Sequence, residues 1–371
     1  VDGRTLEARI RSVESGSVRM ERADGAVFTI PVERFVEEDR RVILAWKPRE
    51  VTVPEVDDAV LVLETDDGRG SGFLVQTEGL VWVYTNQHVI GDAASVRAED
   101  TSGREIELGR LEIAGDRDVA RFVVEEGRGL LLAGRPKTGD SIIVYGNSQG
   151  SGMITRSEGE LLGISADALE VSAEIVSGNS GGPVVDEEGA VLGISTYVQV
   201  ADALQDPTMK DTRYEKPRRF ALRLDEEIDF RVVSRWEYQQ VYDKFREETE
   251  VFDESLNFTR MILSDPSQRI MTGHFNTDSV IDIVEEHNDD VARLPGLAAS
   301  GISYRSKIRK FSKRYIDTLE EAYQVGASSL EDAESSVQDE RFGWMKNQIR
   351  DRKEFLSQWY ETIERVEKSF D

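Results

Sequence analysis

Apolar and polar positions along the chain follow three rhythms in succession. Over residues 1–46 the period is two: Leu6, Ala8 and Ile10 alternate, Val18 and Met20 follow the turn Ser15-Gly16-Ser17, and Phe28 and Ile30 follow Ala23-Asp24-Gly25. A period of two broken by glycine-containing turns predicts hairpins, here closed by a short helix from Glu37 to Trp46. So short a segment makes a thin core and is expected to lean on its neighbour. Residues 47–57, with Pro48 and Pro54, read as a linker.

From residue 58 to about 229 the pattern is a series of short apolar runs between Gly and Asp turns: Val60–Leu63, Gly72–Val75, Val81–Thr85, Val119–Val124, Ser141–Tyr145, Leu169–Ile175 and Val191–Thr196. Many short strands with no long helical pattern between them predict an all-β barrel or sandwich. From about Trp236 the period lengthens. Val241, Phe245, Phe252, Leu256 and Leu263 recur at helical spacing, then Tyr304, Ile308, Phe311, Tyr315, Leu319 and Tyr323, then Ile349, Leu356, Trp359, Ile363 and Val366. Gly326 is placed to stop a helix, and Ser329 with Asp332 to start the next. Residues 230–371 therefore read as an α-helical bundle of about four helices. The whole is a multidomain chain, two or three domains being natural for 371 residues.

Composition narrows the partners more than the fold. The formal net charge of −26 argues against nucleic acid or an anionic membrane as partner, since each needs a basic face. The absence of cysteine removes disulfides, thiolate metal sites and thiol nucleophiles. No apolar run approaches the ~18 residues that span a bilayer, so membrane insertion is not expected. The chain starts at Val1 within a strand pattern, so an upstream signal or anchor is an expectation.

The chemistry-bearing string is Ser177-Gly178-Asn179-Ser180-Gly181-Gly182-Pro183. Acyl transfer from a peptide bond needs a hydroxyl on a tight turn, with backbone N–H groups converging on the developing oxyanion. Taken alone, such a string is simply a glycine-rich turn. Upstream, Thr85-Asn86-Gln87-His88-Val89-Ile90 places one of only three histidines at the end of an apolar strand, where it can serve as a base. Asp116-Arg117-Asp118-Val119-Ala120 places a carboxylate just before another strand, able to hold an imidazole in one tautomer. Specificity comes from the three together, in the order His, Asp, Ser.

These strings, with Gly70-Ser71-Gly72-Phe73 and Gly193-Ile194-Ser195, resemble the trypsin/chymotrypsin-like serine proteases, most nearly the cysteine-free bacterial HtrA/Deg-type branch, over residues 58–200. The resemblance implies two perpendicular six-stranded β-barrels with a site between them. It makes His88 the general base, Asp118 its orienter and Ser180 the nucleophile. Its oxyanion hole lies on the turn Gly178, Asn179, Ser180, through the amides of Gly178 and Ser180. It gives substrate binding to Glu174, six residues before the nucleophile, and to Ser195, Thr196, Tyr197 and Val198. A poorly solvated Glu174 would select Lys or Arg, a solvent-facing one would not, and Val198 would narrow the pocket for small residues. Two features depart from that branch: helices stand where a peptide-binding PDZ domain would follow, and residues 1–46 resemble the SH3-like homology domain of the yeast adaptor Sla, through Asp2-Gly3-Arg4, Ala23-Asp24-Gly25, Ile30-Pro31-Val32 and Glu37-Glu38-Asp39.

The expected function is a serine endopeptidase acting on polypeptide substrates through an acyl-enzyme. Cofactors and metals are expected to be none, and the flanking domains to bind a protein partner, regulate or oligomerise. A bacterial, extracytoplasmic (periplasmic or secreted) location fits. The alternative is a latent or silent protease-fold scaffold. His274 reads as a loop residue and His287 as part of a helix-bundle face.

Overall fold

The computed structural model describes residues 8–14, 16–22, 26–45, 54–66, 68–77, 79–91, 93, 95–199, 217–264, 270–299 and 305–368. Leu6, the Asp2-Gly3-Arg4 and Ala23-Asp24-Gly25 strings, Ser15, Trp46, Pro48 and Tyr304 lie outside these residues. The chain divides into two compact units, Val1–Gln239 and Gln240–Asp371.

In the first unit, β1 (Arg9–Glu14), β2 (Ser17–Glu21) and β3 (Val27–Pro31) form an antiparallel meander, followed by a 3-10 turn and α1 (Glu37–Ala45). Val18, Met20, Val32 and Ile43 make its small core. Among the described residues this segment is the three-stranded meander and its helix.

After a short α2 (Val56–Ala59) come β4 (Val60–Thr65), β5 (Gly68–Thr77), β6 (Leu80–Thr85), α3 (Gln87–Ile90), β7 (Val96–Glu99), β8 (Glu105–Ile106), β9 (Leu111–Ala114) and β10 (Ala120–Val124). Then follow β11 (Ser141–Gly146), β12 (Thr155–Ile164), β13 (Ala168–Val171), β14 (Pro183–Val185), β15 (Val191–Gln199), β16 (Arg218–Arg223) and β17 (Phe230–Val233). Strands β11–β16 close into a six-stranded barrel, as expected. Its interior holds Ile142, Val144, Leu161, Leu169, Val171, Val184 and Leu192. The first half departs from expectation. It is an eight-stranded sheet in the order β17-β9-β10-β6-β5-β4-β7-β8, not a closed six-stranded barrel.

The extra strand at that sheet's edge is β17, which pairs with β9 (Phe230 opposite Ala114, Val233 opposite Leu111). A domain boundary at 229 would cut this strand away, and the first compact unit extends to Gln239. A buried charge explains why the chain returns. Arg121 is 7% exposed and lies between the rings of Trp82 (4.0 Å) and Phe230 (3.8 Å). Glu112 pairs with it at 2.6 Å, and the Tyr84 hydroxyl lies 3.2 Å away. A guanidinium so far from water needs that carboxylate and those π faces, and Phe230 supplies one of them.

The second unit is helical. It contains most of α4 (Arg235–Ser264), then α5 (Asp278–Ala299), α6 (Arg305–Ser336) and α7 (Gly343–Lys368). These are four long helices, with Phe252, Phe258, Val284, Leu319, Leu330 and Trp359 in one core. Gly326 does not end a helix: α6 runs through it, and Ser329 donates to the Gly326 carbonyl inside the same helix at 2.9 Å. A Cβ at Gly326 would come within 3.1 Å of the Trp359 ring. The glycine admits the indole. No helix among the described residues is long and apolar enough to cross a membrane.

Candidate active site

Strand register brings the first two site residues together. Strand β10 pairs antiparallel with β6, Ala120 opposite Thr85. Continuing each strand by two residues sets Asp118 beside Gln87, in the turn that carries His88. Asn86, extended at φ −81° and ψ 151°, leads into α3, and its side chain donates to the Asp118 carbonyl at 2.7 Å. The Asp118 carboxylate accepts the His88 backbone N–H at 3.0 Å and stands 2.5 Å from His88 Nδ1. Asp118 is almost buried, while the imidazole is 37% exposed. One face of the ring is thus fixed and the other is reachable.

Ser180 sits on the turn between β13 and β14. Gly178 has φ +90°, and a Cβ there would lie 2.1 Å from the Asn147 carbonyl oxygen, so only glycine fits. The turn's amides divide into two sets. Asn179 N–H donates to Val176, Gly181 N–H to Ser195 and Gly182 N–H to Asn179. Among the described residues, the amides of Gly178 and Ser180 have no acceptor. The carbonyl on the far side of each of these two peptides is clamped: Ser177 accepts from Gln149 N–H at 2.6 Å, and Asn179 from Gly182 N–H at 2.9 Å and Ser195 Oγ at 2.5 Å. In a trans peptide N–H and C=O point oppositely, so clamping the carbonyls aims both amides away from the protein's own acceptors. Asn179 belongs to the turn, but its own N–H is occupied.

Strand β15 contributes differently from expectation. Its pairing with β16 shifts between Ser195 and Tyr197, a bulge that leaves Thr196 without a partner opposite, and bulges re-aim the side chains they carry. The Thr196 hydroxyl donates to Asp118 Oδ2 at 3.3 Å, and its carbonyl accepts the Ser180 hydroxyl at 3.2 Å. Ser195 is fully buried and braces the Ser180 turn. Both were expected to bind substrate. The bulge at Thr196 leaves both side chains buried. Tyr197 and Val198 are exposed and remain accessible. Glu174 is also exposed, because residues 171, 173 and 175 point into the barrel core and 174 points outward. Of the two alternatives for Glu174, the side chain takes the solvent-facing one.

Sequence reasoning missed Ser71 as a structural centre. It is fully buried, and its hydroxyl donates to the Gly178 carbonyl at 2.7 Å while accepting the Asn147 N–H at 2.8 Å. Its N–H donates to the Ser180 carbonyl at 2.9 Å. The signal available for it is a serine set between two glycines just before the apolar run Phe73-Leu74-Val75. In the second unit, His287 Nε2 lies 2.8 Å from Glu321 and, with Glu286, forms a partly exposed group. His274 ends a 3-10 turn and is exposed.

Residues 70–194 match the family model of the trypsin-like peptidase domain. The chain is 28% identical over 211 residues to the serine protease HTRA4 of Mus musculus, covering 48% of this chain and 43% of that one. It is 28% identical over 141 residues to a probable periplasmic serine endoprotease DegP-like of Bartonella henselae, covering 35% of this chain and 28% of that one. It thus spans less than half the length of these relatives. Among solved structures, the active form of the Rv3671c protease from M. tuberculosis matches 49% of this chain and 87% of its own, at 21% identity and a TM-score of 0.38.

Proposed function

With residues 70–194 a trypsin-like peptidase domain, we propose that the chain is a serine endopeptidase in which Ser180, His88 and Asp118 act on polypeptide substrates. The observation that carries this is the pairing of a carboxylate-held imidazole with a serine turn whose two unengaged amides flank the nucleophile. In the resting arrangement the Ser180 hydroxyl donates to Thr196. For attack it rotates toward His88 Nε2, which takes the proton as Oγ bonds to the scissile carbonyl carbon. The imidazolium is stabilised by Asp118, itself held by Thr196 and the His88 amide. The carbonyl oxygen gains negative charge and accepts the Gly178 and Ser180 N–H groups. Collapse breaks the C–N bond, the leaving amine takes its proton from His88, and water then releases the acyl group by the same path.

The N-terminal meander and the helical unit are assigned to docking or regulation, with oligomerisation as one form of it. An extracytoplasmic location is proposed from the DegP-like relatives. Labelling with a fluorophosphonate probe tests the assignment: wild type labels and cleaves an unfolded protein, and Ser180→Ala does neither. Equal labelling of both proteins, or cleavage that survives Ser180→Ala, overturns it. Peptide binding without turnover, unchanged by Ser180→Ala, would instead indicate a protease-fold scaffold.

A further inference from the structure

The residues that open α4 close a chain of hydrogen bonds leading to His88. Tyr238 is wholly buried, and its hydroxyl donates to the Gln87 carbonyl at 3.0 Å. Gln87 immediately precedes His88. From its own side chain, Nε2 donates to the carbonyls of Ala114 at 2.9 Å and Arg117 at 2.7 Å. Those two carbonyls bracket the loop that delivers Asp118. Arg235, one turn earlier on α4, donates to the Ala93 carbonyl beyond the other end of α3. Helix α3 has only four residues, too few to hold its own geometry, because a single turn fixes many dihedrals for little hydrogen bonding. Its shape must come from outside.

We propose that Tyr238 is a positioning residue for the peptidase reaction, holding the Gln87–His88 backbone so that the imidazole meets both Asp118 and Ser180. The proposal rests on the triad reading above. Its physical basis is that a buried tyrosine hydroxyl in a dry setting is directional, and that base-to-nucleophile geometry tolerates little displacement. Tyr238 lies in the first turn of α4, so a change in that turn acts directly on the histidine turn.

The test compares full-length wild type with Tyr238→Phe, Gln87→Met and Tyr315→Phe. The last removes another buried hydroxyl, which donates to the Ile262 carbonyl at 3.2 Å in the helical unit. Two quantities are read: kcat and KM on a peptide substrate, and the low-field proton NMR signal of the His88 Nδ1–H···Asp118 bond. We expect Tyr238→Phe and Gln87→Met to lower kcat about three- to tenfold with KM within about twofold, and to shift or broaden the low-field signal. Tyr315→Phe leaves both unchanged. The proposal is overturned if Tyr238→Phe matches wild type in kcat and signal, or if Tyr315→Phe produces the same loss. Should Tyr238→Phe fail to fold, Gln87→Met carries the test. Should wild type show no Ser180-dependent turnover, the triad reading fails; the NMR signal still reports His88 placement, and an unaltered signal in Tyr238→Phe overturns the proposal separately.

Discussion

Thr196 serves both ends of the proposed triad: its hydroxyl reaches Asp118 and its carbonyl holds the Ser180 hydroxyl. A residue in regular β pairing could not do this, because its backbone carbonyl and side chain would point into the ladder and one sheet face. The bulge frees both. The same reasoning applies to Gly178, where φ +90° and the nearby Asn147 carbonyl leave no room for a side chain. Gly178→Ala must move the turn and withdraw one of two amide donors. We expect kcat to fall about 10²- to 10³-fold, the effect of losing one oxyanion donor. Fluorophosphonate labelling should slow in proportion, while circular dichroism shows the fold retained. His88, Asp118 and Ser180 could be proposed from the sequence because their residue types sit in short strings of specific order. Ser71, Ser195 and the inward role of Thr196 were not, because each depends on a partner brought near by sheet register.

At the scale of elements, periodicity read the strongly apolar strands and the helical half well, and failed where another force overrode it. Strand β12 has no buried run over most of its length and escaped notice, since pairing on both sides rather than burial makes it a strand. Strand β17 is four residues long and is recruited by the Arg121 ion network. Gly326 has the residue type of a helix terminator, yet the helix continues because the Trp359 ring occupies the space a side chain would need. Gly326→Leu should therefore destabilise the helical unit by about 1–3 kcal/mol through overpacking, despite leucine's better helix propensity. Thermal unfolding followed by Trp fluorescence checks the sign: a rise in Tm would show that the ring has room to yield.

For the whole molecule, the division at Gln239 has a consequence for any dissection of the chain. A fragment ending at Asp229 loses Phe230 from the Arg121 site and Tyr238 from the His88 turn. One ending at Gln239 keeps both. Leaving the buried Arg121 with one π face removed, and stripping an edge strand from β9, should make the shorter fragment less stable by about 2 kcal/mol or more, the worth of a desolvated cation–π contact. Urea unfolding of the two fragments side by side measures the difference, and equal midpoints would contradict it. A truncation meant to reveal whether the helical unit restrains activity must therefore stop after Gln239.

The sequence by itself determined the β-then-α order of the chain, the exclusion of thiol chemistry and the choice of Ser180, His88 and Asp118 as the proposed nucleophile, base and orienting carboxylate. Those follow from composition and from short strings whose meaning is local. Tertiary structure decided which amides of the serine turn stay unengaged, that β17 returns to the first sheet and that the opening turn of α4 reaches the histidine. Each of these is set by register or by a buried partner more than 15 residues away in the chain, which local patterning does not encode.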